Sequence, residues 1–166
     1  MQDWGSLHPV IVHIPLGLLF IVPLLLLAGL FSRQSPKTFY QSALIVALTG
    51  TLGIYLAISS GELASEQVKP DPEVVSTLEA HEKLAGKVKL NYSLLTALLL
   101  VYVLLFHKLT QNFAPKYHRG AVALYLLLYM YSLVLLLNTA HQGGKLVHHH
   151  NVTSKIYTSS NLTDKN

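Results

Sequence analysis

Four long stretches of apolar sequence without a charge limit this chain to one kind of fold. A helix needs roughly 20 apolar residues to cross the hydrocarbon core of a bilayer. Residues 9–31 carry no charge and include Pro15 and Pro23; residues 38–61 are again uncharged, with Gly50 and Gly53 near their middle. Residues 121–140 are uncharged and rich in Leu and Tyr. Proline inside a membrane helix frees a carbonyl and favours a kink, but is tolerated there. The third stretch is less regular, because its uncharged part, residues 90–106, is somewhat short for a full span.

Upstream of that third stretch, Pro70-Asp71-Pro72-Glu73 reads as a helix start. Asp71 is placed to cap, Pro72 suits the first helical position and Glu73 the first turn. From there Val74, Leu78, His81, Ala85 and Val88 recur at spacings of four, three, four and three. That is one apolar stripe on a helix, with His81 inside it. The pattern predicts a single helix over 72–107, whose amphipathic first half projects from the membrane or lies along it if Gly86 bends the axis.

The expectation is an all-α integral membrane four-helix bundle, its third helix extended on the outer side. The spans fall at about 9–31, 38–61, 88–107 and 120–140, in a domain of residues 1–150 followed by a polar tail, 151–166. Composition agrees: 51% of residues are hydrophobic and 12% charged, about half the charged share of a soluble domain. The net charge of +4 does not point to nucleic acid, since the basic residues flank apolar blocks and form no stripe. The first apolar block is too long, and lacks a basic leader, for a cleavable signal peptide. With no cysteine, disulfides, thiolate metal sites, iron–sulfur ligation and covalent c-type haem attachment are excluded within this chain.

Four spans put both termini on one side. The two loops on the other side hold Arg33 and Lys37, and Lys108, Lys116 and Arg119, with no acid in either. Those five basic residues face seven on the terminal side: Lys69, Lys83, Lys87, Lys89, Lys145, Lys155 and Lys165. The raw count does not decide, and acidic residues contribute little to the positive-inside rule. The five are nevertheless dense, in short loops tight against span ends. On that ground the loops are read as cytoplasmic and both termini as periplasmic, in a bacterial inner membrane.

Seven of the nine histidines then gather on the outer side: His8, His13, His81, His141, His148, His149 and His150. His13 lies about four residues inside the first span, roughly 6 Å deep at 1.5 Å per residue. An ionisable residue at such depth usually faces the bundle and marks function, and Gly17 one turn below leaves room for a flat group. His81 sits in an apolar stripe, His8 opens the first span, and His141 ends the fourth ahead of Gly143-Gly144, which suit a helix stop. His107 and His118 read as interfacial residues beside lysines.

Neutral imidazole is a common ligand for transition metals and haem iron. A closed copper or zinc site would normally recruit a Cys, Met or carboxylate as well, and few are available. Histidines on facing helices with small residues beside them suit bis-histidine haem b better, one or two per chain. His13 and His81 are the first candidates for axial ligands, with His8, His141 and His150 supplying a second site. The pairing is open, and copper or zinc is the alternative cofactor. No Ser-His-Asp order, phosphate-cradling loop or intramembrane carboxylate pair points to an enzyme.

The segment Leu7-His8-Pro9-Val10-Ile11-Val12-His13-Ile14-Pro15 resembles the L-H-P-x-x-V-H-F-P opening of a bacterial membrane family catalogued as domain of unknown function 2231. His81-Glu82 and the run from His141 to Val147 agree with it, so the resemblance covers residues 7 to about 151. The family continues after its Gly-Gly segment with L-V-Y-x-H-G. That places its histidine on His150, with His148 in place of Tyr, Asn151 in place of Gly and Ile14 in place of Phe. His148 and His150 therefore compete. Some relatives are joined to cytochrome c or Rieske-type modules. The resemblance implies an electron-transfer subunit working beside a redox complex or a cytochrome c-type carrier. A metal-transport protein and a purely structural anchor are the other readings.

Overall fold

The computed structural model describes residues 4–66, 68, 71–150 and 152; the polar tail, apart from Val152, lies outside the described residues. A 3-10 turn, Trp4–Leu7, leads into a short helix α1, His8–Ile11, and then α2, His13–Phe31. Helices α3, Pro36–Ser65, α4, Pro72–Asn112, and α5, Pro115–His148, follow. No strand occurs among the described residues. The chain is an all-α bundle with four helical stretches long and apolar enough to cross a membrane.

Local chemistry accounts for the boundaries. Pro36, Pro72 and Pro115 each stand in a first turn, where the missing N–H has no helical partner to lose. The Asp71 side chain accepts from the Glu73 N–H at 2.9 Å, the cap that the sequence predicts. The first span is broken at Val12, between α1 and α2. Pro15 explains this: its ring opposes the carbonyl of Ile11, four residues back, and it offers that carbonyl no N–H. Pro23 does the same to Leu19 inside α2. There the Tyr129 hydroxyl donates to the Leu19 carbonyl at 2.9 Å, so α5 satisfies the group that the proline orphaned.

The helices close in chain order. α2 packs on α3, α3 on α4 and α4 on α5; α5 meets α2, and the 3-10 turn and α1 lie on α3. The connections at residues 32–35 and 113–114 are short, which makes sequential helices antiparallel neighbours. Leu19, Val22, Ala43, Ala47, Tyr92, Leu99, Tyr129 and Leu133 build the shared core. The outward faces are equally apolar: Leu24, Leu52, Leu104 and Leu127 are 64%, 64%, 71% and 70% exposed. Helices apolar all round suit lipid as the solvent.

α3 carries a series of close approaches. A Cβ at Gly50 would meet Leu19 at 2.8 Å, one at Gly53 would meet Pro15 at 3.0 Å, and one at Gly61 would meet His8 at 3.0 Å. Small residues at a helix interface let backbones approach where no hydrophobic drive separates lipid from protein. Buried Thr51 and Thr96 add a hydroxyl pair at 2.8 Å between α3 and α4.

One expectation changes and one is met. α5 does not stop at Gly143-Gly144 but runs through both to His148, because its last turns are held against α4. The single helix expected over 72–107 is found, and it continues to Asn112. α4 is one helix of 41 residues, about 62 Å long at 1.5 Å per residue. Its stripe residues Leu78, His81 and Ala85 are partly covered.

Removing the Tyr129 hydroxyl as Tyr129→Phe should lower stability by about 1 kcal/mol, read from the unfolding midpoint in a denaturing-detergent titration. Pro23→Ala restores an N–H to the Leu19 carbonyl, so the same substitution in that background should cost markedly less. Equal losses in the two backgrounds would exclude the satisfied-carbonyl explanation.

Candidate histidine centre at the outer end of the bundle

His8 of α1 and His81 of α4 are brought together where α3 and α5 also meet them. Their ring centroids stand 6.5 Å apart with planes at 84°, and both rings are half-buried. His8 reaches α3, where its Nδ1 lies 3.0 Å from Ser60 Oγ. His81 reaches α5, where its Nδ1 lies 2.9 Å from the Thr139 carbonyl oxygen. Two imidazolium charges at that separation would repel by roughly 2–3 kcal/mol at an effective dielectric near 20. The pair is therefore held with at least one ring neutral.

The hydrogen bonds assign the tautomer. A carbonyl only accepts, so His81 Nδ1 carries the hydrogen it shares with Thr139. Ser60 directs its own hydrogen to the Ala57 carbonyl at 2.9 Å, so towards His8 it can only accept, and His8 Nδ1 donates. In the neutral form of either ring, Nε2 keeps the lone pair. An Nδ1–H fixed on a backbone carbonyl or hydroxyl, with Nε2 left open, is how proteins orient a metal-ligating histidine.

Glycine makes room for both rings. A Cβ at Gly61 would stand 3.0 Å from His8 Cε1, and one at Gly143 would stand 3.2 Å from His81 Cε1. Gly143 reads from the sequence as a helix stop; its actual part is to let α5 pass the His81 ring. Ser60, Gly61, Thr139 and Gly143 were all hidden from sequence reading, because each acts across a helix pair and none has a local signature.

The other candidate residues lie elsewhere. His13 is exposed, and its Nδ1 bonds back to the Pro9 carbonyl of its own segment, which corrects the expectation that it faces the bundle. The reason is angular: five residues separate His8 from His13, well over one turn, so the two rings point to different sides. His141 and His148 are also exposed. His150 Nε2 lies 3.2 Å from Thr77 Oγ1, whose hydrogen goes to the Glu73 carbonyl. His150 therefore donates through Nε2, the opposite tautomer, and ties the end of α5 to α4.

Among the described residues no group of three His, Cys, Asp or Glu side chains could hold a metal ion. An ion bound by protein alone needs three or four such ligands. Haem iron takes four nitrogens from its macrocycle and needs only two from the protein.

In nitrogen NMR of protein labelled at histidine, His8 and His81 should both show protonated Nδ1 and unprotonated Nε2, and His150 the reverse. Gly61→Leu should displace the His8 ring and erase its Nδ1–H signature while leaving that of His81. Nε2–H signals from both His8 and His81 would exclude the assignment.

A family model described as a predicted membrane protein (DUF2231) matches residues 5–155. No curated protein and no solved structure matches the chain.

Proposed function

The chain belongs to the DUF2231 family of predicted membrane proteins, and within that frame we propose that it is a b-type cytochrome-like subunit with His8 and His81 as the axial ligands of a haem. The observation that carries this reading is the paired geometry: two half-buried imidazoles on facing helices, each with Nδ1 engaged and Nε2 open. Haem iron with both axial positions filled supplies one-electron transfer without an open coordination site. Ser60 and Thr139 hold the two rings in the ligating tautomer, and Gly61 and Gly143 keep them from being crowded. Lys83, Lys87 and Lys145, all exposed on the outer segments, offer ammonium groups to carboxylates on the rim.

This reading places the centre at the periplasmic face of a bacterial inner membrane, with both termini periplasmic. Electrons pass between a cytochrome c-type carrier and the other subunits of a redox complex. The exposed first turns of α4, which carry Glu79, Glu82, Lys83 and Lys87, supply a polar docking surface. Exposed His13 and His141 fall outside the proposed axial pair.

The test is a dithionite-reduced minus oxidised visible spectrum of protein purified in detergent from haem-replete cells. Soret and alpha bands of the b type are expected, lost in His8→Ala and in His81→Ala but kept in His13→Ala. A featureless spectrum, with copper or zinc found by elemental analysis, would transfer the site to metal handling. A featureless spectrum without metal would leave a structural anchor whose histidines join helices.

A further inference from the structure

One face of α5 is left uncovered by the bundle. Leu124, Leu127, Tyr131, Val134, Asn138 and His141 follow one another at spacings of three, four, three, four and three, and all six are exposed. The repeat averages 3.5 residues, the period at which two helices pack along a continuous left-handed seam. Two of its members do not suit lipid. Tyr131 stands near the middle of the uncharged stretch 121–140 and is 60% exposed. Asn138 lies inside the end of the same stretch and is exposed as well.

Other outward polar side chains show how this chain satisfies such groups by itself. Thr49 donates to the Ile45 carbonyl at 3.0 Å, Tyr55 pairs with Ser93 at 3.0 Å, and Asn91 donates to the Lys87 carbonyl at 2.9 Å. On the inner side of α5, the Tyr125 and Tyr129 hydroxyls donate to the Leu95 and Leu19 carbonyls. The side chains of Tyr131 and Asn138 have no hydrogen-bond partner among the described residues. Hydrocarbon offers no water in place of one, so their partners belong to another helix.

Symmetry and chemistry identify that helix. Every copy of the chain inserts in the same orientation, so the α5 helices of two copies meet parallel. A two-fold axis along the membrane normal then sets each seam residue beside its own counterpart. Only side chains that both donate and accept can pair with their own kind, and the Asn138 amide, the Tyr131 hydroxyl and a neutral His141 imidazole all do both. Lys145, the next position of the repeat, lies beyond the uncharged stretch, where its ammonium extends into water. An asparagine in such a seam also fixes register, as it does in a soluble coiled coil. We propose that a second copy of this chain packs along this face of α5, forming a parallel homodimer held by reciprocal Asn138 and Tyr131 hydrogen bonds. None of the residues that position His8 and His81 lies on the seam.

The chain has no cysteine, so single cysteines report the interface directly. Leu127→Cys and Val134→Cys, oxidised in native membranes, should give disulfide-linked dimers. Leu52→Cys and Leu98→Cys, at exposed positions of α3 and α4, should stay largely monomeric. Energy transfer between labelled full-length copies in liposomes, followed over a range of lipid dilutions, should show a monomer–dimer equilibrium. Asn138→Leu should raise its dissociation constant roughly three- to tenfold, the range of one interhelical hydrogen bond, and Asn138→Gln should keep most of the association. A cooperative thermal melt of each variant verifies folding. Monomer at every dilution, equal cross-linking at all four positions, cross-links from the seam to a different polypeptide, or unchanged association in Asn138→Leu would each overturn the proposal.

Discussion

Close approach at the small-residue face of α3 governs the rest of the molecule. Lipid tails are as apolar as leucine, so helices in a bilayer gain little by hiding apolar side chains from one another. Contact has to come from fit. Gly50, Gly53 and Gly61, with Ala43, Ala47 and Ala57 buried between and before them, let Leu19, Pro15 and His8 press directly on the α3 backbone. A larger residue at Gly61 would move the start of the first span outwards, and His8 would no longer reach Ser60 or face His81. The candidate centre is thus a consequence of helix packing before it is a matter of ligand chemistry.

The second governing demand is that each buried backbone group find a partner. Prolines in the first span release carbonyls, and the bundle answers in two ways. Pro23 inside α2 is answered by Tyr129 from α5, which ties the first and last helices where their contact is otherwise thin. Pro15 is answered by ending one helix and starting another. Val12 itself keeps helical dihedrals, so the five residues between His8 and His13, well over one turn, set their rings on different sides. One histidine ends up against α3 and α4, and the other on the outside.

The two ends of the bundle differ in kind. At the end that carries His8 and His81, polar groups are paired in sequence: Ser60 to the Ala57 carbonyl within α3, and His8 to Ser60 and His81 to Thr139 across helices. At the opposite end Tyr40, Tyr102, Phe106 and His118 form an aromatic cluster, and the two ends are built from different residues.

Hydropathy in blocks fixes four spans by itself, because the length of an apolar run measured against the bilayer needs no tertiary information. The cap at Asp71 and the stripe through His81 are equally legible, since both depend on neighbours within one or two turns. The sequence also names His8 and His81 among the outer histidines. It could not pair them, because pairing depends on how far apart and at what rotation two helices sit. Those quantities are set by Gly61 and Gly143 across the interface. His13 seemed inward by depth alone, yet depth along a helix says nothing about angle around it. His118 seemed peripheral for the matching reason, and only the packing of α5 against α4 turned its ring inward. The sequence alone determined that this is a four-span membrane protein with most of its histidines gathered at one end; tertiary packing decided which two of them meet.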